Sequence, residues 1–302
     1  KIVPTGSSRR GGRSNRLNRS TASQSTSTHG PLEARNIPEY GLLNEDALIA
    51  LETQADWILK EIGVEFRGDK VALDMFRRAG ADVQGERVRF DKGHARTLCS
   101  TAPTSYKLHG RDPKHTVTLG DKNIVLMPGY GSPFVTDLNN GRRYASLADF
   151  HNFVKMTYST PWLHHSGGTV CEPVDIPVNK RHLDMIYAHL RLSTKPFMGG
   201  VTSPSRAQDS IDMAKLVFGH SFMQQNAVIQ ANINVNSPLI YDETMSAALR
   251  IYAAENQCVA VSPAIFGGAM GPVSQPAVIA QTLAEGMAGI ALTQLVRKGC
   301  PT

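Results

Sequence analysis

The 302-residue chain, 41% hydrophobic and 19% charged, is long enough to bury at least one large core, and no stretch offers the roughly 18 uninterrupted apolar residues of a membrane span. A net charge of +6 would invite a nucleic-acid reading, but residues 1–35 carry seven basic residues (Lys1, Arg9, Arg10, Arg13, Arg16, Arg19 and Arg35) against Glu33 alone, which leaves the rest of the chain formally neutral. Four cysteines, Cys99, Cys171, Cys258 and Cys300, lie too far apart for a zinc cluster and are expected as buried thiols of a cytoplasmic protein.

The first 35 residues, rich in Arg, Ser, Thr and Gly, hold too few large apolar side chains for a core. They are expected as a basic flexible arm, solvated or draped over an oligomer partner, and nothing in them resembles a signal-peptide core. From 44 to 62, Asn44 offers a cap, and Leu48, Leu51, Ala55, Ile58 and Ile62 fall on one helical face before Gly63. Shorter helices are predicted over 69–79 and about 91–101, with an alternating strand from Val83 to Phe90. Short strands fill 105–144, and Asn140-Gly141 between Phe134-Val135 and Arg143-Tyr144 predicts a hairpin. Residues 36–145 therefore read as an α+β module.

From 146 the rhythm becomes helix and short apolar strand in alternation. Ser146 and Asp149 match a capping box for a helix to about 158, and a strand is expected near 162–170. Helices over Asn179–Leu192, from Ser205 and Gln208 to Gly219, and over Asp242–Glu255 separate strands at Pro196–Val201, Val228–Val235 and Val259–Phe266. A last helix, Pro276–Lys298, has Pro in its first turn and Arg297-Lys298 in its last. Four βα units at a spacing of about 30 residues predict a parallel sheet with right-handed crossovers, either doubly wound or the first half of a (βα)8 TIM-type barrel over 146–302. Half a barrel leaves open edges, so the chain is expected to continue or to be completed by a partner or second copy.

Two stretches are distinctive: Asn234-Val-Asn-Ser-Pro-Leu-Ile-Tyr-Asp242, and Ala264-Ile-Phe-Gly-Gly-Ala-Met-Gly-Pro272 followed by Ala284-Glu-Gly-Met-Ala-Gly289 and Gln294-Leu-Val. With Arg9-Arg-Gly-Gly-Arg13, Gly129-Tyr-Gly-Ser-Pro-Phe-Val-Thr-Asp137 and Gly141-Arg-Arg143, they resemble the trimethylamine methyltransferase family, in order and over nearly the whole chain. The resemblance implies a TIM-barrel methyltransferase that demethylates a methylated amine and passes the methyl group to the cobalt of a corrinoid (cobalamin) carried by a separate cognate protein. It also implies a homo-oligomer. Members acting on trimethylamine carry pyrrolysine beyond the position matching Thr302, and members without it act on quaternary amines such as glycine betaine. Catalytic residues are accordingly expected beyond Thr302.

Methyl transfer from a quaternary ammonium needs a site that holds a diffuse cation and excludes water, which aromatic faces suit. The candidates near strand ends or in the glycine-rich loop before them are Tyr130, Phe134, Trp162, Phe197, Tyr241 and Phe266. Asn234 and Asn236 point to one side of a strand and could bind the substrate's amine or carboxylate, or instead tie down the loop backbone. Gly267, Gly268 and Gly271 could let the backbone approach a phosphate or corrinoid, or simply permit a tight turn. His164 and His165 are adjacent, so they point to opposite faces and no metal site is assigned to them. His182 and His189 share a helical face and read as surface or packing residues, and Glu285 as a packing or loop-anchoring carboxylate. Lys195 precedes its strand, the wrong end for a Schiff-base lyase or aldolase. A barrel enzyme of other chemistry and a non-catalytic assembly subunit are the alternatives.

Overall fold

The computed structural model describes residues 33–34 and 40–302. The basic arm predicted over 1–35 lies outside the described residues except for β1 (Glu33–Ala34), which pairs antiparallel with β7 (Asn123–Ile124).

The first helix, α1 (Glu45–Trp57), is capped as predicted: the Asn44 side chain accepts from the Ala47 N–H at 3.0 Å. It continues as a π-helical turn over Ile58–Ile62, which the 3.6-residue period does not foretell. Next come β2 (Val64–Phe66), α2 (Lys70–Arg78) and the hairpin β3 (Asp82–Gln84) with β4 (Arg87–Arg89). After α3 (His94–Cys99), β5 (Ser105–Leu108) pairs antiparallel with β6 (Val117–Gly120), and β8 (Phe134–Asp137) with β9 (Gly141–Tyr144). The β8–β9 register places Asp137 opposite Gly141, so the turn is Leu138-Asn139-Asn140, with Gly141 following at φ 63°. It is thus one residue longer than the predicted two-residue turn. The Asp137 carboxylate accepts the N–H groups of Asn139 and Asn140 and stabilises that longer loop.

The predicted capping box opens α4 (Leu147–Ser159), with Ser146 and Asp149 bonded reciprocally. Asp149 also takes a bidentate pair of hydrogen bonds from Arg143 at 2.7 and 2.8 Å, and that guanidinium holds its carboxyl well below the usual carboxylate range. No regular strand forms at 162–170. The segment nevertheless lies alongside the next strand, β10 (Phe197–Met198): Ser166 N–H donates to the Pro196 carbonyl at 2.7 Å and Met198 N–H to that of Gly167 at 2.9 Å. β10 follows α5 (Arg181–Leu192). Then α6 (Pro204–Phe218) begins two residues earlier than a cap at Ser205 implies, because Ser203 is the cap and Pro204 occupies the first turn. The short α7 (His220–Gln225) leads into β11 (Ile229–Val235).

β10, β11 and β13 (Cys258–Pro263) form one parallel sheet in sequence order, with α6 and α8 (Glu243–Ala254) as crossovers. The protein is thus of mixed α/β class. Between β11 and α8, the short β12 (Ile240–Tyr241) crosses to the other end of the chain's order and pairs parallel with β2, extending the sheet β12-β2-β4-β3. The long α9 (Gln275–Val296) packs on α1, α2, α3 and α8, and the largest core cluster joins Phe66, Phe76 and Phe90 to Ile229, Ile233 and Tyr252. Among the described residues no helix is long and apolar enough to cross a membrane. All four cysteines are free thiols.

Lys195, at the amino end of β10, is buried at 4% exposure and donates to the Thr157 and Thr160 carbonyls at 2.8 and 2.9 Å, closing the carboxyl end of α4. Burial pulls its pKa from the ordinary 10.5 down to about 8. Between those two pH values the unfolded chain holds a proton that the folded chain has released, so this residue adds stability as pH rises across the window. The difference in unfolding free energy between wild type and Lys195→Met should therefore move in favour of wild type by about 2 kcal/mol from pH 8 to 10.5, measured by urea titration at each pH. A difference that stays flat would remove the assignment.

Candidate functional site

A cavity of about 530 Å³ opens at the carboxyl ends of β10 and β11, where parallel α/β sheets hold their ligands. Sheet alternation builds its floor. The odd residues of β11, Ile229, Ala231, Ile233 and Val235, belong to the hydrophobic core under the helices. The even ones, Gln230, Asn232 and Asn234, make a polar row on the opposite face, and the last two line the cavity. Ser262 donates to the Asn232 side-chain oxygen at 2.6 Å, and the Asn232 amide donates to that of Asn234 at 3.3 Å. The Asn234 amide nitrogen is left without a protein acceptor among the described residues.

Tyr130 comes in from the glycine-rich loop before α4 and donates its hydroxyl to the Met198 sulfur at 3.3 Å, joining the cavity wall. His189 of α5 forms another part of that wall and is almost wholly buried. The Gly168 carbonyl at 2.8 Å can only accept, so the His189 proton sits on Nε2 and Nδ1 accepts the Ser166 hydroxyl at 2.7 Å. Burial pushes this imidazole down to about 4, which keeps it neutral near pH 7.

Three cationic or potentially cationic side chains also reach the cavity. Arg181 is paired with Glu172 at 2.6 Å, and His182 donates from Nε2 to Asp209 at 2.7 Å. Arg206, in the first turn of α6, donates only to neutral oxygens, the Thr202 hydroxyl at 2.8 Å and the Val178 carbonyl at 2.9 Å. Among the described residues it has no carboxylate partner. The cavity thus combines an aromatic ring, the thioethers of Met185, Met198 and Met245, two amides, and two guanidiniums of which only that of Arg181 has a carboxylate partner among the described residues.

The other residues singled out in the sequence lie elsewhere. Asn236 donates to the Asp242 carboxylate at 2.6 Å and secures the cap of α8, the loop-tying option. Tyr241 is fully buried, stacked on Phe66 with ring centroids 4.9 Å apart, and donates to the Glu285 carbonyl. Phe197 is likewise buried against His189. Phe134 stacks on Tyr144, and the Arg142 guanidinium lies 4.0 Å over its ring, so a cation of the chain itself already occupies that face. Trp162 and Phe266 are exposed and do not line the cavity. Gly267, Gly268 and Gly271 shape a loop that closes on itself: Gly268 N–H donates to the Gly271 carbonyl at 3.0 Å, and Gly267 and Gly271 form a bridge. His165 is buried and accepts the Gly167 N–H at Nδ1; among the described residues no three His, Cys, Asp or Glu side chains group as a metal site.

Asn232 and Arg206 were passed over in the sequence. Counting back by two from Asn234 would have reached Asn232. Arg206 carried no such signal, since an arginine in the first turn of a helix reads as surface.

A model of the trimethylamine methyltransferase family matches residues 9–302. The chain is 39% identical over 266 residues to a glycine betaine methyltransferase of Desulfitobacterium hafniense (strain Y51), covering 88% of this chain and 55% of that protein. It is 25% identical over 258 residues to a proline betaine:corrinoid methyltransferase of Eubacterium limosum, covering 81% of this chain and 52% of that protein. The chain spans about half the length of the curated relatives it matches.

Proposed function

We propose a function from one premise: the chain belongs to the trimethylamine methyltransferase family. In this reading it is the N-terminal part of a methyltransferase that takes a methyl group from a quaternary amine of the betaine type and hands it to a corrinoid held by a partner protein. The names of both relatives support the substrate class, and one of those names mentions the corrinoid. The observation that carries the reading is the cavity with Tyr130, Met198, Asn232 and Asn234 on its walls, set at the strand ends of a parallel sheet. The parallel strands would be early strands of a (βα)8 barrel, since they follow one another in sequence order with helical crossovers.

A corrinoid supplies a reduced cobalt nucleophile to accept the methyl group. The C–N bond breaks with its electron pair on nitrogen, so the amine leaves neutral and no proton has to move. What the chain's own residues contribute is binding and orientation. The Tyr130 ring and the polarisable Met198 sulfur suit a trimethylammonium head better than water-like donors would. His189 stays neutral in that wall, so it adds no charge to repel the cation. Asn234 offers an amide N–H to the polar end of the ligand.

The full-length protein, mixed with its reduced corrinoid protein, is expected to convert glycine betaine to dimethylglycine, with the product followed by mass spectrometry and the cobalt by its absorbance. Failure to demethylate glycine betaine, proline betaine, choline or trimethylamine would overturn the proposal.

A further inference from the structure

The two guanidiniums on the cavity wall are held differently. Glu172 neutralises Arg181, and Asp209 partners His182, but Arg206 is held only by the Thr202 hydroxyl and the Val178 carbonyl. On the wall of a cavity that takes in a quaternary ammonium, a guanidinium with no carboxylate partner of its own repels a simple cation seated beside it. That repulsion vanishes if the ligand brings its own anion to the guanidinium. The two neutral acceptors fix Arg206 by one N–H of each terminal nitrogen, leaving its other donors available to a carboxylate.

We propose that Arg206 is the specificity-determining residue of this cavity: it seats the carboxylate of a betaine and thereby selects zwitterionic methylated amines over trimethylamine and other ligands without an anion. The assignment rests on the reading of the cavity as the amine site. Asn234, whose amide nitrogen has no protein acceptor among the described residues, is placed to donate a second hydrogen bond to the same ligand. The ammonium end then lies toward Tyr130 and Met198, while the ligand's own carboxylate takes the free donors of the guanidinium.

The test compares two ligands on the full-length protein by calorimetric titration: glycine betaine, and tetramethylammonium, which has the same cationic head and no carboxylate. Replacing Arg206 by Gln should weaken glycine betaine by about 30-fold. Tetramethylammonium, relieved of a like charge, should bind R206Q no more weakly than it binds wild type, and R206K, which keeps the charge but loses the fork, should fall between for glycine betaine. An equal loss of both ligands in R206Q would show that Arg206 only props the loop of Thr202 and Val178, and unchanged glycine betaine binding would show that it does not meet the ligand. Either result overturns the assignment. If wild type demethylates glycine betaine while R206Q keeps wild-type selectivity, only the role of Arg206 falls. If wild type neither binds nor demethylates any methylated amine, the proposed function itself falls.

Discussion

Substituting Ala for Gly131 is expected to destabilise the fold by about 3 kcal/mol or more and to remove Tyr130 from the cavity wall. The loop 129–133 lies directly against the segment that precedes α5, with the Gly131 N–H donating to the Thr169 carbonyl at 2.8 Å. A Cβ on residue 131 would stand 1.9 Å from the Val170 carbonyl oxygen and 2.8 Å from the Cys171 Cα. Both are backbone atoms, so no rotamer change relieves the clash; one of the two chain segments must move. Because Tyr130 is the adjacent residue, the displacement is carried straight to the ring that would face the ammonium. Gly129, two residues earlier, has nothing within 4 Å of a built Cβ and serves as the control: Gly129→Ala should change stability by less than about 0.5 kcal/mol. Chemical denaturation of the two variants, with glycine betaine titration alongside, makes the comparison. Equal stability of the two would mean that the close approach of loop 129–133 to residues 169–171 is not a constraint on the native state.

Several elements were legible because local chemistry and tertiary packing agree on them. The Asn44 cap, the Ser146–Asp149 capping box and the apolar rhythm of the crossover helices all state their purpose in a few neighbouring residues. The cap of α6 was missed by two residues because Ser205 was weighed without Pro204, whose place in a first turn makes Ser203 the cap. The segment 162–170 reads as a strand from its apolar residues, yet its backbone meets β10 through only two hydrogen bonds. Its buried histidine side chains accept backbone N–H groups instead, His165 that of nearby Gly167 and His164 that of Leu126, 38 residues earlier in the chain.

Two of the residues lining the cavity were legible in the sequence, one on a regular strand and one in a loop. Asn234 follows from alternation, and Tyr130 from its aromatic type beside glycine. Tyr241 shows the limit of residue type as a guide. Placed eight residues after Ile233 at a strand end, it has the composition of a cage residue, but β12 turns away to pair with β2 and takes Tyr241 into the core against Phe66. Arg206 becomes visible only once it is seen to meet neutral oxygens alone, one of them the Val178 carbonyl 28 residues away, while Arg181 has Glu172.

Before β12 pairs with β2, the turn that leaves β11 is tied to α9 by one carboxyl group, and its removal is the second change expected to have a large effect. Glu285 of α9 is fully buried. One oxygen accepts the Ser237 hydroxyl at 2.6 Å; the other accepts the Leu239 N–H at 2.8 Å and the Gln281 amide at 2.9 Å. These contacts fix a turn in which Leu239 has φ 57°, and which leads from the cavity residues Asn232 and Asn234 to the cap of α8. Glu285→Ala strands the buried Gln281 amide and the part-buried Ser237 and Leu239 donors and leaves a void, which should cost about 4 kcal/mol. Glu285→Gln keeps an oxygen for Leu239 and Gln281 and turns an amide toward Ser237, whose hydroxyl can accept as well as donate, so it should cost only about 1 kcal/mol. Urea unfolding separates the two, and glycine betaine affinity should fall in the Ala variant more than in the Gln variant because the strand end loosens beside Asn234. If Ala and Gln at 285 prove equally costly, hydrogen bonding to residues 237–239 is not what the carboxyl contributes, and the geometry at the carboxyl end of β11 must be held by the core packing of Ile233, Val235 and Tyr241 instead.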